Sequence, residues 1–210
     1  MTTNTKYNTP KEFDNLYKIL SSPKFLKKEG LGGELPFFIH SFPVQKLSEV
    51  ESNTESLIKR LQSEGIEIIE INLYSLCIDI LKREDIFDKI TAQEQSWPNK
   101  QRLLRILAGP LNVDSKLIPE IHKRVADASA KILLLSGIGA AFPFVRSHTI
   151  LNNLQTLVGN IPLVMLFPGT YNNQSLNLFD SIKDENYYRA HNLNEYKIWY
   201  DTKGTLSQRH

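Results

Sequence analysis

The chain has 210 residues, 41% hydrophobic and 23% charged, with a formal net charge of +2 and a single cysteine. That length suits one domain with a sizeable core, and the composition is that of an ordinary globular protein. Cys77 alone excludes an internal disulfide framework and fits a reducing, cytoplasmic compartment, no apolar run approaches the roughly 20 residues of a membrane span, and a charge of +2 is too weak to argue for nucleic acid by itself.

The polar N-terminus, residues 1–7, lacks the apolar core of a secretory signal. Thr9-Pro10 predicts a first helix, with Thr9 as N-cap and Pro10 at the first helical position. Phe13, Leu16, Tyr17 and Leu20 make its apolar stripe, and Ser21-Ser22-Pro23 ends it. A basic, Gly-containing connection through Lys27, Lys28, Gly30, Gly32 and Gly33 reads as a small docking helix and a loop. Residues 35–42 predict the first strand, with His40, Ser41 and Pro43 at its end. Residues 49–64 predict a helix with Val50, Leu57, Ile58 and Leu61 inward and Gly65 as its stop, and residues 66–73 the second strand. Helical patterns follow over 76–91, 100–108 and 115–128, separated by Ser96-Trp97-Pro98 and Gly109-Pro110. Three helices are more than a crossover needs, so 76–128 reads as a helical insert.

The stretch from Lys131 to Gly169 organises the chain. Two short apolar runs, 132–135 and 163–167, have no polar alternation, as expected of strands buried on both faces of a parallel sheet. Between them Ile150, Leu151, Leu154, Leu157 and Val158 recur at helical spacing, with Gly159 as a C-terminal cap. Ligands of such folds sit at the carboxyl ends of the strands, which here carry Ser136-Gly137-Ile138-Gly139 and Pro168-Gly169-Thr170-Tyr171. Residues 176–179 read as an edge strand, and the tail 203–210 as flexible. The expected architecture is a single α/β domain over 1–210. It has a mainly parallel sheet of four or five strands, flanking helices and the helical insert, compatible with a degenerate P-loop-ATPase-like fold.

P-loop chemistry needs a Gly-rich loop after the first strand, so that backbone N–H groups and a Lys cradle phosphates. Here that place reads His40-Ser41-Phe42-Pro43-Val44-Gln45-Lys46, with no Gly. The third core strand is followed by Ser136-Gly137 rather than by an acid for Mg²⁺. Ser136-Gly137-Ile138-Gly139 could hold an anion through its backbone, but a lone Gly-x-Gly is weak, and a tight turn is the simpler reading. Arg146, His148, Asn152 and Asn153 lie on the following helix, with His148, Asn152 and Gln155 on one face. A cationic pair in a first turn runs against the helix dipole and hints at a bound anion or a partner carboxylate. The alternative pairs Arg146 with Asp180 or Glu185 and makes His148 a satisfied interior group. Ser147-His148 is a poor nucleophile and base, since helical neighbours point apart, and the five histidines show no metal-ligand spacing. Tyr187-Tyr188-Arg189-Ala190-His191 suits stacking on bases or a protein interface, or packing beneath the last strand.

The runs 38–45, 134–139 with 142–148, 162–171 and 187–190 together resemble the BrxB family of BREX (bacteriophage exclusion) systems, over roughly residues 10–195. The resemblance implies a place in a phage-defence system that also contains an adenine-specific DNA methyltransferase, a large ATPase and the alkaline-phosphatase-like PglZ. It brings no established catalytic residues. The expectation is a non-enzymatic adaptor docking on PglZ, with no cofactor and no metal. The alternatives are a nucleic-acid-binding module of the same system or a nucleotide-sensing degenerate ATPase. The candidate interaction or anion site comprises His40, Ser136, Gly137, Gly139, Arg146, His148, Asn152, Tyr171, Tyr188 and Arg189.

Overall fold

The computed structural model describes residues 7–29, 36–97, 99–158, 161–184, 186, 188, 190–196, 199–200 and 206–207. Gly30, Gly32, Gly33, Gly159, Tyr187, Arg189 and most of the tail lie outside the described residues, as do the side chains of Gln155, Leu157, Val158, Trp199 and Tyr200.

Helix α1 (Thr9–Leu20) is capped by Asn8 rather than Thr9: the Asn8 side chain accepts from the Lys11 N–H. Asn is a strong cap, and the Thr9 hydroxyl is instead used across the fold, donating to Glu49 at 2.7 Å. After the short α2 (Pro23–Leu26), strand β1 (Phe37–Phe42) passes through a 3₁₀ turn at Val44–Lys46 into α3 (Leu47–Ser63). Strand β2 (Ile68–Asn72) runs straight into α4 (Leu73–Arg83), because Asn72 accepts from the Ser75 N–H and caps the helix from within the strand end. The helix predicted over 76–91 is two helices, α4 and α5 (Phe87–Glu94), broken where Asp85 takes a φ of +56°. Then come α6 (Gln101–Leu107), a π turn at Val113–Leu117, α7 (Ile118–Asp127), β3 (Ile132–Ser136), the unanticipated one-turn α8 (Ile138–Ala141) and α9 (Ser147–Val158). Strand β4 (Leu163–Tyr171) is longer than its apolar run and is followed by β5 (Leu176–Leu178), β6 (Ile182–Asp184) and β7 (His191–Asn192). In the C-terminal segment β8 (Trp199–Tyr200) pairs with β9 (Leu206–Ser207).

The sheet order is β2-β3-β4-β1-β7, and every pair along this path is parallel. This is the mainly parallel α/β sheet that the sequence predicts, with β5 and β6 added as an antiparallel extension of β4. Side-chain alternation divides the core in two. On one face Phe38, Phe42, Leu134, Val164 and Leu166 lie beneath α1 to α3. On the other, Ile39, Leu133, Leu135, Met165 and Phe167 lie against α4 to α9. The helices of the expected insert therefore share a core with the sheet: Leu76, Leu107, Leu117 and Ile121 belong to the same buried cluster as Leu133 and Met165.

Strand β4 changes partner at Pro168-Gly169. Pro168 is still in parallel register with Phe42, while Gly169 faces Leu178 in the antiparallel extension. Gly169 has a φ of +141°, and a Cβ there would sit 2.2 Å from the Asn177 carbonyl oxygen. Substitution must therefore both strain the backbone and push strand β5 away. Gly169→Ala is expected to lower unfolding free energy by about 2–4 kcal/mol, read as a drop in urea midpoint without a large change in m-value. A loss below about 0.5 kcal/mol, the size of an ordinary surface change, would contradict the close packing of β4 on β5.

Candidate functional site

Helix α3 leaves β1 on one face of the sheet and α4 leaves β2 on the other. A cleft of about 580 Å³ opens between them at the carboxyl ends of β1 to β4. Leu47, Glu51 and Glu55 stand on one face of α3 at i, i+4, i+8 and form one wall. Tyr74 and Ser75 at the start of α4 form the other. Leu166, Pro168, Gly139 and Phe179 make an apolar floor, with Glu70, Ser136 and Gly137 beside it.

The charge of this cleft is one-sided. Glu51, Glu55 and Glu70 line it, and among the described residues no Lys, Arg or His does. Glu51 and Glu55 are exposed, and like charges at i, i+4 on a helix repel. The Ser136 hydroxyl is committed to Glu70, donating at 2.5 Å. Gly137 adopts a φ of +70°, and a Cβ there would fall 2.2 Å from Asn72 Oδ1, the atom that caps α4. The Gly-x-Gly segment thus has a packing role, seating the turn against Asn72 and, through Gly139, against the Phe179 ring. The loop after β1 has no cradle either. Pro43 offers no N–H, and Lys46 is held by Glu49 at 2.7 Å.

The ten candidate residues do not converge on one site. Ser136, Gly137 and Gly139 lie at the cleft. His40 is only 1% exposed and lies under α1, with the Tyr7 hydroxyl 2.8 Å from its Nε2 and the Phe13 ring edge-on to it. Tyr171 is buried, its hydroxyl 3.0 Å from the carbonyls of both Tyr188 and Ala190, so that it ties the C-terminal segment to β4. Asn152 is exposed on α9. Arg189 lies outside the described residues.

Arg146, His148 and Tyr188 form a second group around Asp184. The exposed Arg146 and Asp184 border a separate cavity of about 30 Å³, room for little more than a water. No described residue forms an ion pair with Arg146, so Asp180 is not the partner that the alternative reading gives it, and Glu185 lies outside the described residues. Tyr188 donates to Asp184 Oδ2 at 2.5 Å, and His148 Nδ1 lies 3.3 Å from the same oxygen, close enough for charge pairing but outside hydrogen-bond geometry. Burial opposes the Asp184 charge, but the hydrogen bonds from Tyr188 and Asn186 and the nearby His148 hold its carboxyl below the usual range. Burial and then Asp184 push the Tyr188 hydroxyl up. The geometry joins α9 to β6 and to the C-terminal segment, and it leaves Tyr188 no face free for stacking a base.

Leu47, Glu51, Glu55, Glu70 and Tyr74 were not among the sequence candidates. The available signals were the exposed i, i+4 acidic pair in α3 and a glutamate interrupting the apolar run Ile68-Ile69-Glu70-Ile71. Among the described residues no group of three or more His, Cys, Asp and Glu is placed to hold a metal ion, and no described helix is long and apolar enough to cross a membrane.

His40 makes a pH prediction. Burial pushes its imidazole down from 6.5 to about 3. The folded state keeps the ring neutral, while the unfolded chain protonates it below pH 6.5. Stability is therefore fully present above pH 6.5 and falls as the pH drops toward 3, by roughly 1.4 kcal/mol per pH unit at most. His40→Gln is expected to flatten this part of the stability–pH curve measured by urea unfolding. An unchanged slope would show that His40 is not held neutral.

Residues 69–193 match the family described as "BREX protein BrxB". A BREX protein BrxB of Bacillus cereus (strain H3081.97) is 35% identical over 184 residues, covering 86% of this chain and 94% of its relative. One of Escherichia coli O9:H4 (strain HS) is 33% identical over 174 residues, covering 83% and 86%. No solved structure matches.

Proposed function

The chain belongs to the BrxB family and is a component of a BREX phage-defence system, and from this premise we propose that it is a non-catalytic, cytoplasmic adaptor that docks on PglZ. The observation that carries this reading is the polarity of the strand-end cleft. A nucleotide site at this place in an α/β fold presents N–H donors and cations to phosphate. Here the same place presents Glu51, Glu55 and Glu70, with Ser136 and Lys46 already engaged. A phosphate entering it would meet three like charges. This weighs against the nucleotide-sensing alternative.

The nucleic-acid alternative has less support than the adaptor. It requires a contiguous basic face that releases counterions. Lys18, Lys46, Arg60, Arg83, Lys116 and Arg124 are instead each paired with a carboxylate. Such exposed pairs add little stability, and they neutralise the field locally at those six side chains. Mixed charge of this kind suits a surface that meets other proteins.

The test is co-purification of the full chain with PglZ and the other products of its operon, in low and high salt, with nuclease present. A nuclease-resistant pair with PglZ is the expected outcome. Absence of any operon partner would overturn the adaptor reading. Nucleic acid retained before nuclease treatment, with affinity falling steeply with salt, would favour the binding module. A rise in melting temperature on adding ATP or GTP, as for a ligand that binds only the folded state, would favour the sensor.

A further inference from the structure

We propose that the cleft between α3 and α4 is the docking groove for an extended segment of the protein partner, one that carries Lys or Arg next to an apolar side chain. This rests on the adaptor reading and names the surface and the chemistry that reading leaves open.

Two independent features point to such an occupant. The first is apolar. Among the described residues only four large hydrophobic side chains are exposed: Leu47 at 42%, Tyr74 at 44%, Leu104 at 37% and Ile106 at 37%. Two of the four, Leu47 and Tyr74, stand on opposite walls of one cleft, above a floor of Leu166, Pro168 and Phe179. An apolar side chain on each wall over an apolar floor suits a ligand-burying groove, and about 580 Å³ falls in the size range of such sites. The second is electrostatic. Glu51 and Glu55 repel each other along α3, Glu70 adds a third carboxylate, and no described cation in the cleft balances them. In solution this arrangement disfavours the empty cleft and favours a cationic occupant, and low-dielectric walls concentrate its field.

Shape decides between a segment and a small cation. Glu51 and Glu55 stand about one turn apart on α3, and Glu70 lies on β2. That spacing suits alternating charged and apolar side chains of an extended chain better than one compact ion. The cleft is lined by side chains of α3, of the start of α4 and of the strand ends, so recognition is by side chains.

The chain also carries a basic and apolar helix of its own. Arg102 and Arg105 accompany the exposed Leu104 and Ile106 on α6. A second copy seated through α6 is therefore the competing occupant that the experiment must separate.

The experiment uses the full chain expressed with the rest of its operon. Tyr74 is replaced by the photoreactive p-benzoylphenylalanine, and the cross-linked peptide is identified by mass spectrometry. In parallel, Glu51→Lys/Glu55→Lys is compared with wild type for partner retention, with melting temperature as a folding control. The expected result is a cross-link to a partner segment containing Lys or Arg beside an apolar residue. At least a tenfold loss of partner retention in the charge-reversed variant is expected as well, at unchanged melting temperature. Wild-type retention weakening between 0.05 and about 0.5 M salt would follow from screening. A wild type that holds its partner while the variant holds it equally well would overturn the groove and leave the adaptor reading standing. A wild type that holds no operon partner would sink the adaptor reading, and the groove with it. A cross-link to residues 99–107 of another copy, together with concentration-dependent self-association abolished by Arg102→Glu/Arg105→Glu, would replace the partner segment with self-assembly.

Discussion

Strand β4 is the constraint on which the rest of the molecule depends. Leu163 to Phe167 are buried on both faces, and the strand is bonded to β1 on one side and β3 on the other. A central strand has no solvent to satisfy its N–H and C=O groups, so both neighbours must be present and in register. Each apolar side chain fully buried there contributes roughly 1.5–3 kcal/mol. The two helical layers are then built on the alternate faces of this strand and its neighbours. Because α3 and α4 leave their strands on opposite faces, the cleft at the carboxyl edge is a consequence of that topology.

The same topology can serve opposite chemistries. Phosphate recognition needs donors and positive charge at the strand ends. This chain places carboxylates there and uses the available polar groups internally: Ser136 on Glu70, Lys46 on Glu49, Asn72 on the Ser75 N–H. The glycines of the turn are consumed by close packing against Asn72 and Phe179. The strand ends thereby carry a cleft lined by carboxylates and apolar groups. Membership of the BrxB family places the chain in a BREX phage-defence system.

Much of the fold was legible because burial writes itself into pattern. The unbroken apolar runs at 132–135 and 163–167 suit doubly buried strands, and the helical periodicities of α1, α3, α7 and α9 followed from their single apolar faces. The break between α4 and α5 was hidden, because Leu76, Ile80, Ile86 and Ile90 keep their spacing across Asp85. Thr9 read as a cap because its type fits, while its hydroxyl bonds to a residue 40 positions away that no local pattern reveals. The candidate site was harder. Sequence reasoning favours His, Arg and Tyr as functional, yet His40 and Tyr171 are spent on tertiary contacts and Tyr188 on Asp184. The carboxylates of the cleft come from α3 and β2, which only the fold brings together, and in the sequence they resemble an ordinary solvated face.

The measurement that bears most directly on an adaptor acting through this groove is hydrogen–deuterium exchange of the full chain with and without PglZ. Protection on binding is expected over residues 47–55 of α3 and 72–75 at the start of α4, with the rest of the sheet unchanged. Protection confined to the region of Arg146, His148 and Tyr188, or no change anywhere at saturating PglZ, would contradict it.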